Sequence, residues 1–154
     1  MLAVIIMGSP SDSAFAQKIV DALDAYGIPS VTRVASAHKV PRYVLEMLDG
    51  YEADPQPKVY ITVAGRSNAL SGLIDAQVAA PVIACPPYSD KFGGADVYSS
   101  LRMPSGVAPA VILEPANAAL FVTKLFGVTD AGVRDKVKAA QAKQRERLYT
   151  ADKA

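Results

Sequence analysis

Apolar residues along this chain come in short unbroken runs, separated by stretches in which they recur every three or four positions. Leu2–Met7 is apolar throughout and closes at Gly8, as a buried strand would. Beyond Asp12, the residues Phe15, Ala16, Ile19, Val20 and Leu23 fall at helical spacing until Gly27 stops the pattern. Ser30–Val34 reads as a second strand. Pro41 suits a first helical turn, and Val40, Val44, Met47, Leu48 and Tyr51 form the stripe of that helix. Asp54-Pro55-Gln56-Pro57 breaks it, and Lys58–Val63, rich in β-branched residues, reads as a third strand. The alternation continues with a helix over 69–79, a strand at Val82–Ala84, and a loop through Pro86-Pro87. A short helix near 96–102, a strand near 110–113 and a helix over 117–126 follow.

Continuous apolar strands alternating with amphipathic helices predict a parallel sheet covered on both faces. The expected fold is α/β, a three-layer flavodoxin-like domain. Ligands in such sheets bind beyond the carboxyl ends of the strands, near the switch in strand order. Residues 1–128 are expected to form this α/β domain, with 129–154 as a C-terminal helical extension of it. In that extension Val133, Val137, Ala140 and Leu148 make too thin a stripe to hold a lone helix. It is expected to pack on a neighbouring subunit.

A chain of 154 residues buries a core without metals or disulfides. With 51% hydrophobic and 20% charged residues it belongs with ordinary globular proteins rather than disordered ones. A formal net charge of +1 gives no ground for nucleic acid or a membrane surface as partner. The excess of basic residues after 128 is interspersed with acids, as on a solvated helix face. The single cysteine, Cys85, lies in the apolar run Pro81-Val82-Ile83-Ala84-Cys85 and reads as a buried structural thiol. The apolar stretch 1–7 is too short for a secretory signal and lacks a basic flank, and no segment is long enough to span a bilayer. A cytoplasmic location is expected.

Three loops that follow strands carry the candidate chemistry. In Ser36-Ala37-His38-Lys39 stands the chain's one histidine, the side chain whose ordinary pKa suits proton transfer near neutrality. His38 is a candidate general base, with Lys39 either anchoring a phosphate or depressing the imidazole pKa; the alternative is a surface histidine on a turn. Gly8-Ser9-Pro10-Ser11-Asp12 enters a helix, so its serines and backbone N–H groups suit an anion, and Asp12 suits sugar hydroxyls. The alternative is that Ser11 or Asp12 merely caps the helix. In Ala64-Gly65-Arg66-Ser67-Asn68, glycine admits a ligand close to the backbone and Arg66 can bind a carboxylate. The alternatives are a cap at Ser67 or Asn68, or an Arg66 paired with an acid as scaffold. Ser99-Ser100-Leu101-Arg102 suits either the site or a subunit contact, and Glu114-Pro115-Ala116-Asn117 reads as helix capping.

These loops together resemble the aminoimidazole ribonucleotide carboxylase family of purine biosynthesis. The matching stretches are Met7-Gly8-Ser9-Pro10-Ser11-Asp12, Ser36-Ala37-His38-Lys39, Ala64-Gly65-Arg66-Ser67-Asn68-Ala69-Leu70, Cys85-Pro86-Pro87 and Ser99-Ser100-Leu101-Arg102-Met103-Pro104-Ser105-Gly106. The mutase branch, which rearranges N5-carboxyaminoimidazole ribonucleotide, typically has Arg after the second-loop histidine and a second histidine in the third loop. Lys39 and the sequence Arg66-Ser67-Asn68 instead resemble the carboxylase (class II) branch, which uses carbon dioxide directly. The resemblance implies His38 as the catalytic proton-transfer residue. It implies Ser9, Ser11, Asp12, Ser36 and Lys39 around phosphate and ribose, and Gly65, Arg66 and Ser67 around carbon dioxide or the new carboxylate. It further implies no cofactor or metal, two small-molecule substrates, and a homo-octamer. The mutase reaction and a non-catalytic nucleotide- or phosphate-binding module are the competing functions.

Overall fold

In the computed structural model, which describes residues 1–153, five strands form one parallel sheet in the order β2-β1-β3-β4-β5. They are β1 (Leu2–Met7), β2 (Ser30–Val34), β3 (Lys58–Val63), β4 (Val82–Ala84) and β5 (Ala110–Val111). The helices are α1 (Ser13–Ala25), α2 (Pro41–Glu52), α3 (Ala69–Asp75), α4 (Tyr98–Leu101), α5 (Pro115–Gly127) and α6 (Ala131–Asp152). The strand order and the helical layers are those of the flavodoxin-like fold.

The unbroken apolar runs are explained by two cores, because alternate residues of a central strand face opposite sides. Ala3, Ile5 and Met7 of β1 join Val59, Ile61 and Val63 of β3 in a core closed by α1 and α5. Val4 and Ile6, with Tyr60, face the other core, closed by α2 and α3. Tyr60 is fully buried in bulk, yet its hydroxyl donates to Glu52 Oε1 at 2.7 Å, which satisfies its polar end. Burial pushes that phenol's pKa well up.

The element boundaries differ from the sequence reading where tertiary contacts intervene. The helix expected over 69–79 stops at Asp75, whose Oδ2 accepts the Ala108 N–H at 2.6 Å while Val78 and Ala80 turn onto the second core. The 96–102 segment is a single 3₁₀ turn, Ala95–Val97, running into the one-turn α4. Helix α5 begins at Pro115, a residue preorganised for a first helical turn. Glu114 holds the N-cap position, but its carboxylate makes no capping bond, so its side chain does not cap the helix.

Helix α6 begins where Asp130 accepts the Val133 N–H at 3.0 Å. It packs on α5, and Lys136 Nζ donates to Tyr26 O at 2.9 Å. Only Val133 and Val137 of this helix are buried. Leu148 and Tyr149 near its far end stand exposed. No helix among the described residues is long and apolar enough to cross a membrane.

Candidate active site

From β1 the chain moves outward to β2, and from β3 it moves the opposite way to β4 and β5, so the switch in strand order lies between β1 and β3. The loops that leave these two strands touch. Gly8 N donates to Val63 O at 2.9 Å, and a Cβ on Gly8 would lie 3.3 Å from the Ala64 Cβ. A bare glycine permits this approach, and a cavity of about 550 Å³ opens beside it. All nine of the predicted residues line that cavity: Ser9, Ser11, Asp12, Ser36, His38, Lys39, Gly65, Arg66 and Ser67.

In the first loop the 3₁₀ turn Pro10–Asp12 precedes α1. Its cap is Ser9, whose Oγ accepts the Ser11 N–H at 3.3 Å and lies 2.8 Å from Ser11 Oγ. Neither Ser11 nor Asp12 takes the capping part allowed for them, and the Asp12 side chain makes no cap bond to α1. Asp12 is therefore left to face the cavity. Burial raises its pKa, while the backbone at Ser9 and the Arg66 guanidinium pull it back.

A carboxyl with a raised native pKa favours folding below its ordinary range, and that contribution is lost as pH rises through the native value. Asp12→Asn is thus expected to raise the melting temperature at neutral pH, and the gain should vanish in acid below the ordinary carboxylate range. Thermal scans across pH check this; a variant less stable than the parent at pH 7 would contradict it.

The second loop leaves β2 through Ala35, whose N–H donates to Met7 O at 2.9 Å, and turns into α2 with Val40 N donating to Ser36 O at 2.9 Å. This turn sets His38 and Lys39 at the cavity rim, both solvent-exposed.

In the third loop Arg66 has φ of +58°, alone among the non-glycine described residues in the left-handed region. For an L-residue that conformation costs about 1–2 kcal/mol. Both of its backbone polar groups are held: Arg66 N donates to Asp96 Oδ2 at 3.0 Å, and Ser99 Oγ donates to Arg66 O at 3.1 Å. The guanidinium makes no ion pair among the described residues, so Arg66 is not a salt-bridged scaffold; its acidic contact is through the backbone. Asn68 does serve as a cap, accepting the Ser71 N–H at 3.2 Å, and its amide donates to Ser100 Oγ at 2.9 Å. Ser67 is exposed at the cavity instead.

Sequence reasoning missed a fourth wall. Pro87, Tyr88 and Ser89, after β4, line the same cavity. The available signal was positional, since they follow a strand as the other three loops do. The 99–102 stretch does not line the cavity; Ser99 and Ser100 brace the third loop from behind. Cys85 is buried, with its thiol pushed up to about 12 chiefly by burial and further by Glu114, which excludes it as a nucleophile near neutrality.

A doubly wound parallel α/β protein with one polar cavity at its switch point, ringed by strand-end loops, is the class this geometry defines. The sequence profile of AIR carboxylase matches residues 2–147. A phosphoribosylaminoimidazole carboxylase of Archaeoglobus fulgidus is 57% identical over 152 residues, covering 99% of this chain and 83% of its own. A bifunctional phosphoribosylaminoimidazole carboxylase/phosphoribosylaminoimidazole succinocarboxamide synthetase of Rattus norvegicus is 42% identical over 97% of this chain and 35% of that longer one. The crystal structure of Treponema denticola PurE superposes with a TM-score of 0.97 at 49% identity, covering 99% of this chain and 96% of that one. The chain belongs to the AIR carboxylase family.

Proposed function

We propose that this enzyme carboxylates 5-aminoimidazole ribonucleotide (AIR) directly with carbon dioxide at C4, giving 4-carboxy-5-aminoimidazole ribonucleotide in de novo purine biosynthesis. The observation that carries the reading is the gathering of the chain's one histidine with Arg66 and Ser67 in a single cavity, where the mutase branch would have a second histidine. Relatives from Archaeoglobus fulgidus and Treponema denticola, both named phosphoribosylaminoimidazole carboxylase, support the family's chemistry on this substrate class, and the choice of branch rests on Lys39 and Arg66-Ser67-Asn68.

The substrate's C4 is nucleophilic like an enamine carbon. It attacks the carbon of carbon dioxide, forming one C–C bond and leaving C4 with both its proton and a carboxylate. The neutral imidazole of His38 takes that proton, and the electron pair of the C–H bond restores the aromatic ring. Ser9, Ser11, Asp12, Ser36 and Lys39 hold ribose and phosphate. Gly65, Arg66 and Ser67 bound the carbon dioxide, with the guanidinium placed to stabilise the growing carboxylate. Holding the two reactants in register supplies on the order of 7–11 kcal/mol of the barrier reduction. No cofactor is required in this scheme. Residues 129–154 extend the 1–128 domain and pack on neighbouring subunits of a cytoplasmic homo-octamer.

The test offers the purified protein AIR with bicarbonate-derived carbon dioxide and no ATP, following product absorbance. A parallel reaction supplies N5-carboxyaminoimidazole ribonucleotide under carbon-dioxide-depleted conditions. Product in the first and little in the second is expected. Turnover of the N5-carboxy isomer alone would make the enzyme a mutase, and silence in both would leave a binding module.

A further inference from the structure

We infer that Asp96 and Ser99 are positioning residues, which act through the backbone of Arg66 to aim its guanidinium into the cavity. This rests on the reading of the cavity as a carboxylation site. Arginine is a poor choice for a left-handed backbone position, where glycine is unstrained. Its presence there at φ +58° is maintained because the surroundings over-determine the conformation. The restraint comes from a segment 30 residues further on: Asp96 Oδ2 accepts from Arg66 N at 3.0 Å, and Ser99 Oγ reaches Arg66 O at 3.1 Å. Ser99 Oγ also accepts from Asn68 N at 2.9 Å, and its single hydroxyl proton is shared between Arg66 O at 3.1 Å and Asp96 O at 2.8 Å, so clamp and loop form one connected network.

The clamp itself is anchored. Asp75 Oδ2 takes the Ala108 N–H, and Met103 Sδ sits against Gly72, so the 95–108 segment is fixed to α3 at points away from the cavity. Gly65 lies at the same junction: a Cβ there would meet Asp96 Oδ2 at 3.6 Å and Pro87 O at 3.4 Å, both ordinary contacts. The product of the network is a guanidinium near enough to Asp12 to act on its carboxyl. Because Asp96 meets Arg66 through the backbone N–H and the guanidinium makes no ion pair among the described residues, the Arg66 charge stays available to an anion in the cavity.

The decisive experiment is a double-mutant cycle with a structural arm. Asp96→Ala is expected to raise the KM for carbon dioxide roughly tenfold, as loss of the left-handed restraint implies, while calorimetry finds AIR binding little changed. Asp96→Asn, which keeps an acceptor oxygen, recovers most of the loss. Arg66→Gly lowers activity by removing the guanidinium, and adding Asp96→Ala to it costs nothing more, because glycine needs no restraint. A crystal structure of Asp96→Ala should show Arg66 out of the left-handed region. Additive losses in the cycle, or an unmoved Arg66 in that structure, would overturn the inference. The crystallographic arm is independent of the reaction, so a parent enzyme that fails to carboxylate AIR sinks the proposed function and leaves the clamp to be judged by Arg66's conformation.

Discussion

His38→Asn should lower kcat by about 10²–10⁴-fold while affinity for AIR stays within a few-fold. Asparagine keeps a polar side chain of similar reach but has no nitrogen that takes up a proton near neutrality. The chain contains no second histidine to substitute for it. Cys85, the other group conceivable as a base, is held protonated by burial and lies outside the cavity lining. The loss is therefore expected on kcat rather than on binding, since the proposed scheme assigns phosphate and ribose to the first loop, Ser36 and Lys39. Steady-state kinetics paired with calorimetry of AIR separates the two. Equal falls in affinity and turnover would mean that His38 is chiefly a binding residue, and an unchanged kcat would remove it from the chemistry.

The second large effect is on stability. Ile61 is fully buried at the middle of β3, paired with Ile5 on one side and Ile83 on the other. Ile61→Ala should cost about 2–5 kcal/mol, because close-packed neighbours on two strands cannot collapse into the space. The midpoint of urea unfolding should fall without a change in slope. Since β3 runs straight into Ala64-Gly65-Arg66, the same variant tests whether the site depends on the sheet's rigidity. A loss of stability with kcat retained well below the unfolding midpoint is the expected pair of results. A loss under about 1 kcal/mol would show that the centre of this sheet repacks more freely than its burial indicates.

The strands, the helices and their alternation were legible because they depend on local periodicity. Buried parallel strands are apolar on both faces, and each helix shows its core stripe within a dozen residues. The site loops were legible for a related reason. A parallel sheet puts the carboxyl ends of all its strands on one edge, so hydroxyls, cations and the lone histidine after separate strands had to converge. Phe15, Ala16, Ile19 and Leu23 announce α1 in this way, and Gly8 announces the loop that leaves β1.

Other features were settled only in three dimensions. Tyr88 lines the cavity through a loop with no periodicity to read, and the side-chain cap falls to Ser9 on the 3₁₀ turn while Asp12, at the N-cap position of α1, makes no capping bond. Helix α3 ends at Asp75, whose side chain accepts a hydrogen bond from Ala108, far along the chain. The left-handed turn at Arg66 runs against that residue's own preference and persists through contacts with Asp96 and Ser99, which no local pattern announces. Local sequence thus determined which elements form and where their ends gather. The aim of the charged groups at those ends was decided by long-range hydrogen bonds, whose energies of about 1 kcal/mol each are enough to choose between backbone conformations of similar cost.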